Sequence, residues 1–142
     1  MYPFYLELEL TKPVIDYFKN KDYIVKREIK IGFNIADLVC FKEKEVISVE
    51  LKLKNWKKAI IQAKNYQLGS DYAYIAFPLM KSHNILKKAE HILKKEGIGL
   101  LVINEKTTEV KEIIKPLKSK RKIANITLNE INKKMKKRYH KF

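Results

Sequence analysis

Residues 34–66, NIADLVCFKEKEVISVELKLKNWKKAIIQAKNY, hold two apolar runs and then a segment of helical spacing. The runs Asn34 to Phe41 and Glu45 to Leu53 are separated by three polar residues and are typical of strands. From Trp56 the apolar residues recur with helical spacing, and Asn55 stands where an N-cap is expected. This stretch therefore predicts two strands followed by a helix.

Outward from this stretch, the apolar pattern changes period several times. Helical spacing from Leu6 to Phe18, with Pro13 inside it, predicts a first helix, and Tyr23 to Ile31 predicts a strand that turns at Gly32. The later predicted elements are a strand Tyr72 to Phe77, a helix capped by Ser82 and ended by Gly97, and strands Gly99 to Ile103 and Glu109 to Ile114. The order α-β-β-β-α-β-α-β-β predicts a mixed α/β fold with a partly antiparallel sheet.

The chain is strongly basic. Its 142 residues, the length of one domain, include 31 Lys and Arg against 16 Asp and Glu, which gives a net charge of +15. A field of this sign attracts polyanions, so a nucleic acid is the first partner to consider. All but three of the cations are lysines, which suit phosphate contact better than bidentate base reading. The composition therefore predicts nucleic-acid binding with little sequence specificity.

The C-terminal end holds much of this charge, with 11 Lys and Arg against one Asp or Glu from residue 115 onward. We divide the chain into an α/β domain over residues 1–116 and a tail over residues 117–142. The tail contains a basic linker and a predicted amphipathic helix from Leu128 to Tyr139 that carries Ile131 and Met135 on its apolar side. Two roles stay open for this helix: contact with phosphates, or packing onto the core or onto a second copy of the chain.

Cysteine content and hydropathy set limits on location. Cys40 is the single cysteine, so no intramolecular disulfide can form, and no cluster has the spacing of a zinc site. The N-terminus lacks a signal-peptide pattern, and the later apolar run Ile98 to Ile103 is too short to span a bilayer. We expect a cytoplasmic protein with no membrane contact.

Polar side chains break two of the predicted core strands. Asp37 interrupts an apolar run, and period-two geometry places Glu50 and Lys52 on one face of the next strand. Charged groups are costly to bury unless they pair, form hydrogen bonds or hold a metal. Two carboxylates on neighbouring strands suit a hard cation such as Mg²⁺, whose shell can be completed by water and phosphate oxygens. The pattern therefore predicts a site for a hard divalent cation.

An acid two places before a lysine is common in this chain and also occurs at Glu28 with Lys30 and at Glu109 with Lys111. What distinguishes Glu50 is the aspartate on the preceding strand and the helix that follows, with polar residues at i and i+4 on one face. We expect both rival pairs to lack an aspartate on the neighbouring strand.

These residues together form a recognisable pattern. The pattern consists of Asp37, then Glu50 and Lys52, then Gln62 and Tyr66 on the following helix. It resembles the PD-(D/E)XK phosphodiesterase superfamily of restriction-endonuclease-like nucleases, and residues 9–18 resemble the family's first helix, with Glu9 as its acid. The resemblance implies a restriction-endonuclease-like αβββαβ core, a mixed central sheet flanked by helices, to which this chain adds a basic C-terminal helix.

The resemblance also implies roles for the site residues. Asp37, Glu50 and the Leu51 carbonyl would ligate Mg²⁺, or Mn²⁺ in its place, and Glu9 would reach a second ion. Lys52 would orient the attacking water or stabilise charge on the phosphate. These roles imply a metal-dependent nuclease, an endonuclease acting on DNA, in a class where homodimers occur.

The following helix would complete the site. Gln62 would hold the substrate or a metal-bound water, and Tyr66 would support it. The residues expected to contact the nucleic acid are Tyr66, Lys54, Lys118, Lys120, Arg121 and Lys122.

The alternative to a nuclease is a non-catalytic basic nucleic-acid-binding protein whose acid pair is structural. It explains the net charge equally well, but it does not explain why polar residues interrupt core strands.

Overall fold

The computed structural model describes residues 4–123 and 125–139, and six strands of this part of the chain form one sheet in the order β1 to β6. The strands are β1 (Ile24–Ile31), β2 (Asn34–Lys42), β3 (Glu45–Leu51), β4 (Tyr72–Pro78), β5 (Gly99–Ile103) and β6 (Val110–Ile114). The first three strands form an antiparallel meander, β4 and β5 continue parallel to β3, and β6 pairs antiparallel with β5. The predicted mixed α/β fold with a partly antiparallel sheet is confirmed.

Helices flank this sheet on both faces. They are α1 (Thr11–Lys19), α2 (Trp56–Tyr66), α3 (Ser82–Glu96) and α4 (Ile126–Tyr139). α2 and α3 are the crossover connections that parallel strands require. α1 packs on one face through Val14 and Phe18, and α2 and α3 pack on the other through Ala63 and Leu93. Within the described residues, none of the helices is long and apolar enough to cross a membrane.

Local capping decides where two of the helices begin and end. Asn55 caps α2, because its Oδ1 accepts a hydrogen bond from the Lys58 N–H at 3.3 Å. Gly97 follows α3 with a φ of +72°, the left-handed geometry that favours glycine. The prediction that Ser82 caps α3 is wrong, because Ser82 is the first residue inside the helix and Lys81 precedes it.

The predicted first helix is divided in two. A 3₁₀ turn at Glu7–Leu10 precedes α1, and Pro13 lies in the first turn of α1, where its missing N–H breaks no helical bond. Glu9 therefore lies in the 3₁₀ turn, outside the α-helix. Its Oε1 accepts hydrogen bonds from the backbone N–H groups of Tyr5 and Leu6, both at 2.8 Å. The Glu9 carboxylate thus closes its own turn.

The basic linker and α4 fold back onto the α/β domain. The Lys122 ammonium pairs with Asp71 at 3.0 Å, and the Thr127 hydroxyl donates to the Gly69 carbonyl at 2.6 Å. Ile131 of α4 is only 4% exposed. Of the two roles left open for this helix, packing onto the core is the one that the structure shows.

α4 also covers the edge of the sheet at β1. The Lys134 ammonium donates to the backbone carbonyl oxygens of Arg27 and Glu28, at 2.9 and 3.1 Å. A sheet edge leaves such carbonyl groups without a strand partner, so α4 supplies one. Ile131 meanwhile packs in the same apolar cluster as Tyr66. α4 therefore ties the first strand to α2.

We predict that Ile131→Ala destabilises the protein and that Met135→Ala does not. Removal of the buried Ile131 side chain leaves a cavity beneath α4, which costs about 2–4 kcal/mol. Met135 is 43% exposed on the same helix, so its truncation should cost less than about 1 kcal/mol. Urea unfolding of both variants measures the difference. Equal, small losses would mean that α4 does not pack on the domain in solution.

Candidate active site

The register of β2 and β3 brings two predicted site residues together. The ladder ends at the pair Leu38 and Val49, so the next residues along the two strands, Asp37 and Glu50, lie opposite each other. Just beyond, the Leu51 N–H donates to Asp37 Oδ2 at 2.8 Å. The Asp37 side chain therefore takes the place of a backbone acceptor at the point where the strands separate.

Glu50 is almost completely enclosed, with 3% of its surface exposed. Its Oε1 lies 2.8 Å from the Tyr66 hydroxyl, and its Oε2 lies 3.5 Å from the Lys52 ammonium. Lys52 follows the last residue of β3, yet its side chain turns to the same side as Glu50, as predicted. The structure thus brings Asp37, Glu50, Lys52 and Tyr66 into one site.

The enclosure changes the protonation of both carboxyl groups. Burial, followed by the charge of Asp37, raises the pKa of Glu50 to about 7, although the Tyr66 hydroxyl and Lys52 act in the opposite direction. Burial also raises the pKa of Asp37, against the hydrogen bond from the Leu51 N–H. One lysine does not fully compensate two neighbouring acids, so a further cation would stabilise the ionised pair.

Tyr66 lies beneath the acid pair and not on the surface. Its side chain is 0% exposed, and its hydroxyl lies 2.9 Å from the Ile35 carbonyl oxygen as well as 2.8 Å from Glu50 Oε1. The Tyr66 hydroxyl has one proton and can donate it to only one of these two oxygens. If Glu50 is protonated, its carboxyl group can donate to the Tyr66 hydroxyl, which then donates to the Ile35 carbonyl. Tyr66 therefore has no exposed surface for the predicted nucleic-acid contact. Its hydroxyl instead supports the Glu50 carboxylate from below.

Gln62 lies one helical turn before Tyr66 on α2. Its Oε1 is buried and, within the described parts of the chain, has no hydrogen-bond partner. A buried amide oxygen without a partner costs free energy, so such an atom is a strong acceptor for any group that reaches it. This is the residue that the sequence predicts to hold substrate or a metal-bound water.

A recess of about 140 Å³ opens beside Asp37 and Leu51. Glu7 lines this recess, whereas the residue predicted for that position, Glu9, has its carboxylate in the 3₁₀ turn. Glu7 could not be selected from the sequence, because the resemblance of residues 9–18 to the family's first helix places the acid at Glu9. No sequence signal marks the shift, because the apolar spacing is the same across the 3₁₀ turn and α1.

Glu28 lines the same recess, which corrects the expectation that this rival acid lacks an aspartate neighbour. The pairs on either side, Arg27 with Leu38 and Ile29 with Ala36, place it opposite Asp37. Its φ is +56°, so the strand is irregular at this residue. No sequence pattern marks that irregularity.

The second rival pair is an ordinary surface pair. Glu109 and Lys111 are 3.7 Å apart, and their side chains are 62% and 66% exposed. Within the described part of the chain, β6 is paired only with β5, whose sequence GLLVI contains no acid. The expectation for this pair is confirmed.

The linker cations lie far from the acid pair. The Ser119 N–H donates to the Asp71 carbonyl, and the Asp71 carboxylate accepts from the Val46 N–H at 2.8 Å, so the linker meets β3 near its first residues. Glu50 is four residues further along the strand, about 13 Å away. Lys118, Lys120 and Arg121 are exposed at this distant end, Lys122 is paired with Asp71, and Lys54 is exposed just after β3.

The donor set at the acid pair fits a hard cation. Among the residues that the structure describes, no three His, Cys, Asp or Glu side chains come together to hold a metal. The predicted set, however, consists of two carboxylates and a backbone carbonyl. The N–H and C=O groups of a strand residue project to the same side, so the Leu51 carbonyl points toward β2 like the N–H that meets Asp37. All three donors are oxygens, as Mg²⁺ and Mn²⁺ prefer.

Two solved structures share this fold. A protein of unknown function from Silicibacter pomeroyi matches with a TM-score of 0.70 at 14% sequence identity, over 98% of this chain and 90% of that one. An XisH family protein from Nostoc punctiforme PCC 73102 matches with a TM-score of 0.56 at 16% identity, over 75% of this chain and 96% of that one. At such identities the likeness shows the fold alone. No family profile and no curated protein matches the sequence.

We predict that Glu50→Gln flattens the pH dependence of stability. The folded protein keeps the Glu50 proton up to about pH 7, whereas the unfolded chain loses it near the ordinary value of 4.5. The free energy of unfolding must therefore fall as the pH rises through this window. With a chelator present to remove divalent cations, the free energy of unfolding of the variant at about pH 8 should exceed that of the parent by roughly 2–3 kcal/mol.

The matched control is Glu109→Gln, which removes an exposed carboxylate from a surface pair. Urea unfolding at several pH values should give the parent and this control the same falling curve. A parent protein whose stability rises between about pH 5 and pH 8 would contradict a raised Glu50 pKa.

Proposed function

We propose that this protein is a Mg²⁺-dependent nuclease that hydrolyses phosphodiester bonds in DNA, built on a restriction-endonuclease-like core. The observation that carries the proposal is the pair of the half-buried Asp37 and the enclosed Glu50 on adjacent strands, with the Lys52 ammonium 3.5 Å from Glu50. A purely structural role does not account for two adjacent acids where apolar residues would be more stable. A binding site for a cation does.

Each carboxylate has one oxygen in a short hydrogen bond, and the second oxygen of Glu50 lies 3.5 Å from the Lys52 ammonium. Asp37 Oδ2 accepts from the Leu51 N–H, and Glu50 Oε1 meets the Tyr66 hydroxyl. The remaining oxygens, with the Leu51 carbonyl, would hold Mg²⁺ or Mn²⁺. Such an ion polarises the phosphate and lowers the pKa of bound water. Because the protein fixes the carboxylates in advance, little reorganisation would be needed on binding.

Lys52 supplies the positive charge at this site. Its side chain is 13% exposed and reaches Glu50 Oε2 without forming a short hydrogen bond. An ammonium in this position can donate to a phosphate oxygen or orient a water for attack. Gln62, whose amide oxygen is buried and has no partner within the described residues, would accept a hydrogen bond from a water enclosed beside it.

The order of elements and the net charge are consistent with this proposal. α1, β1 to β3, α2 and β4 follow in the order αβββαβ that the sequence resemblance implies. The charge of +15 favours a polyanionic substrate. The acids of the site are few against this background, so DNA would be attracted to the molecule as a whole.

We predict that Asp37→Asn, Glu50→Gln and Lys52→Met each lower Mg²⁺-dependent cleavage of plasmid DNA by at least about 100-fold. DNA affinity in chelator should be unchanged or slightly higher for the two acid variants, because a negative charge is removed. Gel assays of cleavage and fluorescence anisotropy of binding measure the two quantities separately.

The matched controls are Glu109→Gln and Lys111→Met, which change the same residue types in an exposed pair. Both should cut like the parent. A parent protein that retards plasmid but cuts it with neither Mg²⁺ nor Mn²⁺ would instead support the alternative of a non-catalytic binding protein.

We predict a different effect for the linker cations. Lys118→Gln, Lys120→Gln and Arg121→Gln together should flatten the salt dependence of DNA affinity, by up to about 0.9 in the log–log slope for each phosphate that the protein no longer neutralises. Cleavage at low salt should continue, because these residues lie at the other end of β3 from Glu50. Lys81→Gln, Lys87→Gln and Lys88→Gln remove the same charge at and within α3. An equal change of slope in that control would show that the linker does not touch the DNA directly.

A further inference from the structure

An exposed phenylalanine stands at the tip of the β1–β2 hairpin. The register pairs Ile31 with Asn34, so Gly32 and Phe33 form a two-residue turn. Gly32 has a φ of +61°, which the turn requires, but nothing in such a turn requires an aromatic residue after it. Phe33 is nevertheless 92% exposed. Folding does not account for this side chain.

The hairpin tip is held firmly on α2. The Phe33 N–H donates to Asn65 Oδ1 at 3.3 Å, and Asn65 Nδ2 donates to the Ile31 carbonyl at 2.7 Å. A Cβ atom at Gly32 would lie 2.5 Å from Asn65 Oδ1, so the turn and the helix are in close contact. Phe33 is therefore presented to solvent from a fixed backbone.

The same hairpin is connected directly to the acid pair. Ile35 is two residues beyond Phe33, about 7 Å along the strand. Its carbonyl oxygen lies 2.9 Å from the Tyr66 hydroxyl, which also contacts Glu50 Oε1. Phe33 itself lies four residues before Asp37, about 13 Å along the strand, so a base resting on Phe33 would belong to a nucleotide a few positions from the phosphate at Glu50.

The surroundings of Phe33 combine apolar and cationic groups. Ile35 and Ile61 are 61% and 68% exposed, and Ile61 lies one helical turn before Asn65 on the same face of α2. Lys30 is the strand partner of Ile35 and is exposed. Within the described residues, Lys30 takes part in no ion pair. The surface beside Lys30 and Ile35 also holds Glu28, Glu130, Lys133 and Lys134, and Glu130 is paired with Lys133. Exposed apolar side chains next to lysines are typical of surfaces that stack bases and contact phosphates.

We propose that Phe33 stacks on an unpaired nucleobase, and that the substrate of the site is a nucleic acid with unpaired bases within a few nucleotides of the cleaved phosphate. This inference rests on the proposed function and narrows its substrate class. In a continuous duplex the faces of the bases are covered by their neighbours, so Phe33 could reach one only after costly unstacking. A single strand, flap or branch exposes those faces. A second copy of the chain fits less well, because it would bring two strongly basic surfaces together.

The test compares Phe33→Ala and Phe33→Tyr with the parent in chelator, where no cleavage occurs. Fluorescence anisotropy measures the affinity for a single-stranded oligonucleotide and for a blunt duplex of the same sequence. Phe33→Ala should weaken single-strand binding about tenfold, the lower part of the range for one stacked base, and duplex binding by less than about twofold. Phe33→Tyr should bind like the parent. Ile113→Ala, which truncates another exposed apolar residue on β6, should change neither affinity.

The proposal is overturned if Phe33→Ala binds single strands as well as the parent does, or loses both affinities equally. It is also overturned if sedimentation shows that Phe33→Ala only converts a dimer to a monomer. Cleavage with Mg²⁺ is measured in parallel. A protein that binds single strands through Phe33 but does not cut would contradict the nuclease alone. A protein that cuts while Phe33→Ala binds normally would contradict the stacking role alone.

Discussion

The hydrogen bond from the Leu51 N–H to Asp37, 2.8 Å long, determines the geometry of the site. A backbone donor inside a protein needs an acceptor, and here β2 and β3 separate before a carbonyl can supply one. The Asp37 side chain fills that position and is thereby held opposite Glu50. Two acids enclosed together bind protons more tightly than either would alone. The Tyr66 hydroxyl beneath Glu50 and the Lys52 ammonium beside it offset this only in part, so the site retains an affinity for positive charge.

Much of the fold could be predicted because its elements carry strong local signals. The periodicity of the apolar residues predicts the meander, α2 and α3. The Asn55 cap marks the start of α2, and Gly97 marks the end of α3. The division of the first helix could not be predicted, because both halves keep the same apolar spacing and only the backbone distinguishes a 3₁₀ turn from an α-helix. The docking of α4 could not be predicted for a similar reason, because one apolar face of a helix is compatible with packing on the core, with packing on a partner and with neither.

The site divides in the same way between local and long-range information. Asp37, Glu50 and Lys52 stand out because charge interrupts apolar strands, a feature that is visible in the sequence. Glu28 does not stand out, because its place in the recess depends on strand register and on a positive φ. The burial of Tyr66 depends on how α2 lies across the sheet. Composition likewise predicts a basic tail, but only the three-dimensional path of the linker shows that its cations lie far from the acids.

The two edges of the sheet are protected in different ways. β6 directs Lys111 into solvent, and such a charge discourages another strand from pairing there. At β1 the carbonyl groups of Arg27 and Glu28 are instead met by Lys134 of α4. Proteolytic removal of the tail would therefore uncover a strand edge able to pair with the same edge of another molecule. Aggregation, more than a loss of positive charge, would then dominate the behaviour of the shortened chain.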